Sequence, residues 1–187
     1  MTVTTLLLLA ASAAVSVTPS AAPLPRWTTA VLAAALLGLA AVTATQTGPA
    51  HGVSLAATYV VTVLAAAAGG STIVTAVFRL ARRRGTTDPD SSAGPLHGGK
   101  TIGVLERTAV AAAILAGWPE GIAIVLAVKG LARYPELRAA EPVTSSTTPT
   151  SPATPTATSA SEQFIIGTFT SVVWAVAVCG VGYALVS

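Results

Sequence analysis

Two adjacent charged residues, Glu106 and Arg107, lie near the start of a segment that otherwise reads as membrane-buried, GVLERTAVAAAILAGW over residues 103–118. A carboxylate and a guanidinium in such a place can form a salt bridge, bind an ion or move a proton, and each is costly in hydrocarbon unless it is paired. On a helix, Glu106 shares a face with small residues, so we expect it to point into a helix bundle. Arg107 shares a face with larger apolar residues, so we expect it to lie beside or toward the lipid headgroups.

Three further charged residues are expected at the same depth. Lys129 and Arg133 are four residues apart, on one face of the next apolar segment, and Glu162 begins the last such segment. An unpaired charge inside a bilayer costs about 2.5–3.5 kcal/mol, and pairing offsets that cost. Simpler roles are open as well, since Lys129 and Arg133 can extend toward water and Glu162 can cap a helix. The predicted charge cluster, either a structural clamp or a functional site, comprises Glu106, Arg107, Lys129, Arg133 and Glu162.

The other chemistry-bearing residues form no recognisable active centre. Cys179 is the single cysteine, and His51 and His97 are far apart, without carboxylates at metal-ligand spacing. No serine, cysteine or aspartate has a histidine or lysine at a spacing typical of an activated nucleophile. We therefore predict no catalytic residue, no metal site and no cofactor, and the sequence favours a protein that is not an enzyme.

A phosphate-loop pattern also occurs. Residues 94–101, GPLHGGKT, match G-x-x-x-x-G-K-T. Such a loop must follow a buried β-strand, whereas the polar residues DPDSSA precede it here. We interpret the match as a glycine-rich loop with a basic residue.

The composition is that of an integral membrane protein. Of the 187 residues, 52% are hydrophobic and only 9% are charged, and the mean hydropathy is +0.73. A soluble domain has about a quarter of its residues charged. The apolar residues also fall in long blocks rather than at alternating or helical spacing. We therefore predict an all-α fold, a polytopic bundle of about six transmembrane helices.

Six segments are candidates for those helices. Crossing a bilayer takes about 20 helical residues, a length that the second, third and sixth segments reach and the other three do not. The first segment resembles a signal peptide, which would leave five helices, but the absence of Lys or Arg before Arg26 favours an uncleaved helix. The segments are Val3–Val17, Trp27–Thr45, Val53–Leu80, Thr101–Trp118, Pro119–Arg133 and Gln163–Val186.

Two polar segments divide the chain. Residues 85–100 are rich in Gly, Pro and Asp and predict a flexible loop, whereas residues 141–161 are almost entirely Ser, Thr, Pro and Ala and predict a disordered linker. They separate three parts of the chain, namely N-terminal transmembrane helices over 1–84, a helical hairpin over 101–140 and a C-terminal transmembrane helix over 162–187.

The basic residues predict the orientation. Six alternating crossings place all ten Lys and Arg residues at the cytoplasmic face, with both termini on the other side. We therefore expect a multi-pass protein with cytoplasmic basic loops. The expected partners are the lipid bilayer, anionic lipid at the cytoplasmic face, and a membrane protein or a second copy of the chain, but not nucleic acid.

Small residues on the last segment predict close helix packing. Gly167, Ser171, Ala175 and Cys179 recur every four residues, and Thr168 lies beside them. We assign Gly167, Thr168 and Ser171 to helix packing.

The C-terminal half resembles an uncharacterised family of bacterial inner-membrane proteins. The resemblance rests on the pattern G-x-L-E-R at 103–107, A-x-K-x-x-x-R at 127–133 and E-x-x-x-I-G-T at 162–168, with Ser171 after it. It departs from the pattern at Gly130, where the family usually has Ser, and in a longer connection before the last helix. The resemblance implies a location in the bacterial inner membrane and a shared three-helix module, but no reaction.

Two functions follow as hypotheses. The first is a non-enzymatic membrane scaffold or partner-binding protein with an interfacial Glu/Arg/Lys cluster. The alternative is a small transporter or channel subunit, in which Glu106 and Lys129 line a polar path.

Overall fold

The computed structural model describes residues 2–17, 26–84, 99–139 and 156–186. Within these ranges the protein is helical and contains no strand, so the predicted all-α fold is confirmed. The helices are α1 (Thr2–Val17), α2 (Arg26–Ala44), α3 (Val53–Arg84), α4 (Gly99–Leu115), α5 (Gly121–Ala139) and α6 (Thr156–Ala184).

Three helices are long and apolar enough to cross a membrane. The apolar spans are Trp27–Ala44 in α2, Val53–Ala81 in α3 and Phe164–Ala184 in α6, with mean hydropathies of 1.8, 1.9 and 2.1. These are the second, third and sixth segments expected from the sequence. The apolar helix α1 is shorter, at 16 residues, and the total of six crossings stays a prediction.

The central helix of the bundle is α3. It packs against α1, α4 and α6 and, over a smaller area, against α2. The helix α5 packs on α4 and contacts α6 only sparsely, so the α4–α5 hairpin lies at the side of the bundle. Chain order and packing therefore place α1, α2, α3 and α6 in one core with the hairpin attached to it.

Helices that follow one another along the chain run antiparallel, and so do α3 and α6. Gly182 of α6 lies against Thr62 near the start of α3, and Gly167 lies against Phe78 near its end. On the other side of the bundle, Thr5 of α1 donates a hydrogen bond to Thr43, near the end of α2. One end of the bundle thus holds the C-terminal ends of α3 and α5 and the N-terminal ends of α2, α4 and α6.

The basic residues gather toward this end, which we call the basic end. The segments that connect helices at the opposite end, 45–52 and 116–120, contain no Lys or Arg. This arrangement agrees with a single cytoplasmic basic face, while the sidedness itself stays a prediction. The residues in helix segments at the basic end are Arg26, Arg79, Arg82, Arg83, Arg84, Lys100 and Arg138.

Small side chains form most of the core. Ala33, Ala66, Ala111, Ala175 and Cys179 are each fully buried and belong to one cluster that joins α2, α3, α4 and α6. Small residues let helix backbones approach closely. Larger apolar side chains would gain little by leaving the lipid for the core, because lipid tails are equally apolar.

Hydroxyl groups join α1 to its neighbours. Ser12 Oγ donates to Ala33 O on α2 at 2.8 Å, and Thr72 Oγ1 on α3 donates to Ser16 O at 2.7 Å. Each bond joins two helices and gives a polar group a hydrogen-bond partner, which the lipid tails cannot provide.

Two helices begin earlier than the sequence predicts. The predicted linker 141–161 lies mostly outside the described residues, but α6 already begins at Thr156, because extending an existing helix avoids the cost of nucleation. For the same reason α4 begins at Gly99, inside the loop predicted for 85–100, of which 85–98 lie outside the described residues.

Candidate functional site

An ion pair joins the two helices of the hairpin. Lys129 Nζ on α5 donates to the Glu106 carboxylate on α4, and the two side chains are 20% and 15% exposed. Glu106 lies near the middle of α4 and Lys129 near the middle of α5, so the pair holds the hairpin together away from its turn. The predicted contact between these two residues is present.

Arg107 joins three helices. Its side chain is buried, at 5% exposure, where α4 meets α3 and α6. Nε donates to Ala67 O on α3 at 2.9 Å, and Nη1 donates to Ser171 Oγ on α6 at 3.2 Å. Among the described residues, Arg107 forms no ion pair with a carboxylate. A backbone carbonyl and a hydroxyl are therefore the hydrogen-bond acceptors of this guanidinium.

The expected orientation of Arg107 was wrong. Arg107 faces the bundle together with Val110 and Ala111, whereas Glu106 faces α5. The reason lies on α3, where Gly70 has no side chain: a Cβ there would be 2.6 Å from Arg107 Cδ. The space left by this glycine accepts the stem of the arginine.

A second glycine on α3 accepts an aromatic ring. A Cβ at Gly69 would be 2.3 Å from Trp174 Cζ2, so the indole of α6 packs directly on the α3 backbone. Trp174 Nε1 donates to Ala65 O at 3.3 Å. Sequence reasoning missed Gly69 and Gly70, although adjacent glycines inside a long apolar helix usually have a packing reason.

Phe164 brings two cations of α5 to the start of the apolar part of α6. Lys129 Nζ and Arg133 Cζ each lie 5.8 Å from the centroid of its ring. Both distances fall within the range of cation–π attraction. Phe164 thus links the hairpin to α6, where direct helix contact is sparse.

The structure does not bring Glu162 into the cluster. Glu162 is exposed, and among the described residues it forms no ion pair. It lies two residues before Phe164, on the basic-end side of that ring, and so beyond the position of Lys129. Three of the five predicted charges, Glu106, Lys129 and Arg133, are therefore linked through the ion pair and Phe164, whereas Arg107 bonds to α3 and α6 instead.

The three packing residues of α6 occupy different surroundings. Gly167 lies against Phe78 of α3, where a Cβ would be 3.0 Å from the ring. Ser171 accepts the Arg107 bond, and Thr168 is buried, at 7% exposure. Among the described residues, Thr168 Oγ1 has no hydrogen-bond partner.

The described residues contain no group of three or more His, Cys, Asp or Glu that could hold a metal ion. No known protein family, curated protein or solved structure matches the chain. The resemblance to a bacterial inner-membrane family therefore stays a prediction.

Proposed function

We propose that the protein is a non-enzymatic scaffold of the bacterial inner membrane, which contacts anionic lipid or a protein partner at its basic end. The proposal rests on the observation that the charged side chains of α4 and α5 form contacts between helices. Arg107 holds α4 to the core and Lys129 holds α5 to Glu106, so these groups already serve helix association. An anionic leaflet attracts each interfacial basic residue by about 1 kcal/mol.

The geometry favours this function over transport. The Glu106–Lys129 pair lies between α4 and α5 at the side of the bundle, rather than at its centre. A cavity of about 640 Å³ opens between α2, α3 and α6, but its lining contains no charged residue. A transport path through Glu106 and Lys129 would need further polar groups above and below this pair along the bundle.

The clamp is tested by Glu106→Gln. The substitution removes the negative charge and leaves Lys129 partly buried without its partner, so we expect about 1–2 kcal/mol less stability, below the cost of a fully buried pair. The amount of folded protein in the membrane should fall. Exchanging the two charges, with Glu106→Lys and Lys129→Glu together, should restore part of it.

Glu120→Gln is the matched control, because Glu120 is exposed in the turn between α4 and α5. It should leave the folded amount unchanged. Normal abundance of Glu106→Gln together with a cellular phenotype would reject the clamp and favour a functional carboxylate.

A further inference from the structure

A surface groove separates α2 from α6, and α3 forms its floor. Its volume is about 640 Å³. The groove exists because α2 and α6 contact each other over a small area, and because most of the α2 side chains that line it are small, namely Ala34, Gly38 and Ala41. At Gly38 even an added Cβ would meet no atom within 4 Å. No described side chain of the bundle therefore fills this groove.

The groove lies at the depth of the hydrocarbon. On α6 its lining runs from Phe169 to Val181, which is about 18 Å along the helix axis. All the residues that line it belong to the three apolar spans of α2, α3 and α6. Phe169 and Val173 are 62% and 63% exposed, so the groove is open at this side. Lipid tails are therefore the molecules that its open side meets.

The lining of the groove suits an apolar chain rather than water. Among the described residues that line it, Thr170 and Trp174 alone carry a polar side-chain atom. The indole N–H of Trp174 already donates to Ala65 O. A bound water needs two to four polar partners, and this lining cannot supply them.

The size of the groove suits a single chain better than a helix. Sites that enclose small molecules have volumes of about 300–1,000 Å³, a range that includes this groove. A helix 10–12 Å in diameter and as long as the groove occupies about 1,400 Å³ or more. A helix of a second copy would therefore lie largely outside the groove, whereas one lipid tail fits within it.

Charge favours a lipid with an anionic headgroup, bound from the basic end. The two helices that flank the groove there have terminal arginines, since α2 begins at Arg26 and α3 ends at Arg84. Arg84 follows Val77, which lines the groove, by seven residues, so the two positions share a face of α3. At the opposite end, the connection 45–52 between α2 and α3 contains no Lys or Arg. A negative headgroup is attracted to the basic end alone.

We propose that the groove holds one acyl chain of an anionic phospholipid, whose headgroup lies at the basic end beside the termini of α2 and α3. The inference rests on the proposed contact with anionic lipid and assigns that contact to a particular surface of the bundle. It gives the apolar groove and the basic end one ligand, which both of them recognise.

Trp174 provides the test, because its ring lines the groove. The full chain carries Trp27→Phe and Trp118→Phe, which remove two exposed indoles and leave Trp174 as the single fluorophore. It is placed in nanodiscs of phosphatidylglycerol and phosphatidylcholine, one of which carries bromine in the middle of its acyl chains. Bromine quenches indole fluorescence on contact, so we expect quenching of Trp174. Brominated phosphatidylglycerol should be the more effective by about fivefold in affinity, which is the effect of one basic residue near an anionic lipid.

Ala34→Phe and Ala35→Phe form a matched pair of variants. Both alanines are exposed on α2, and only Ala34 lines the groove. Each variant adds the same ring at an exposed position, so neither should lower Tm. Ala34→Phe should fill the groove and remove most of the quenching of Trp174, whereas Ala35→Phe should leave it unchanged. Equal quenching in the two variants would reject the groove as the site.

Lipid that remains bound after extraction into detergent, measured by mass spectrometry, separates this site from the proposed function. If the chain retains phosphatidylglycerol while Ala34→Phe keeps full quenching, the contact with anionic lipid stands and the groove is not its place. If neither retention nor quenching favours phosphatidylglycerol, the anionic ligand and the proposed lipid contact are both rejected. Absence of quenching, together with a dimer that Ala34→Phe converts to a monomer, would assign the groove to a second copy and overturn the proposal.

Discussion

The core of α1, α2, α3 and α6 and the α4–α5 hairpin are held by different forces. In the core, small side chains bring backbones together, and neutral groups such as Ser12 and Trp174 donate hydrogen bonds across helices. In the hairpin, polar contacts of Glu106, Arg107 and Lys129 add to the packing of small α4 residues such as Ala111 on the core. The three helices that are long and apolar enough to span a membrane all belong to the core.

The comparison shows two ways of holding helices together without a hydrophobic driving force. Close packing needs long, matched surfaces of small residues, which α3 and α6 possess. In α4 and α5, a few strong polar contacts add to such packing. A hairpin built in this way should be sensitive to charge and tolerant of changes in size, and the core should show the opposite behaviour.

The largest effect is expected for Gly69→Leu in the core. The new side chain would occupy the volume of the Trp174 indole and separate α3 from α6, at a cost of about 3 kcal/mol or more. Gly38→Leu on α2 is the matched control, since a Cβ there meets no atom within 4 Å. Unfolding in mixed micelles should show a large loss for Gly69→Leu alone. Equal losses would mean that close packing at Gly69 does not hold the core.

A smaller effect is expected for Phe164→Leu, which keeps an apolar side chain but removes the aromatic face. Loss of the contacts with Lys129 and Arg133 should cost about 1 kcal/mol. Proteolysis should then cleave the hairpin faster than it does in the wild-type chain. Phe169→Leu, at an exposed position of the same helix, should leave the rate of cleavage unchanged. A similar increase in rate for Phe169→Leu would show that Phe164 does not connect the hairpin to α6.

The smallest effect is expected for Ser12→Ala, which deletes one hydrogen bond between α1 and α2. Hydrogen bonds between membrane helices contribute about 0.6 kcal/mol on average. Ser71→Ala is the control, because its hydroxyl is exposed and points to its own helix. A loss above about 2 kcal/mol for Ser12→Ala would show that the core, like the hairpin, depends on individual polar contacts.

The sequence was sufficient to predict where the helices lie and which of them are long. Continuous apolar blocks predict spans at Val53–Leu80 and Gln163–Val186, and α3 and α6 contain most of these residues. Helix ends were less predictable, because a helix continues into polar residues once it has formed, as at Thr156.

The environment of each charge was not predictable in the same way. Helix periodicity separated the faces of Glu106 and Arg107 correctly, but it placed Arg107 toward the headgroups rather than against α3 and α6. That choice depends on Gly70, a residue on another helix whose relevance appears only when α3 and α4 are packed. The contact of Phe164 with two cations likewise depends on how α5 lies beside α6.

The two hydrogen bonds of Arg107, to α3 and to α6, also become possible at different times during synthesis of the chain. Its first acceptor, Ala67, is synthesised before it, and its second, Ser171, follows 64 residues later. At about 5–20 residues per second, the ribosome makes that serine roughly 3 to 13 seconds after the arginine. During this interval one of the two acceptors of the guanidinium has not yet been synthesised, so a chaperone or insertase that shields polar residues would be needed at α4.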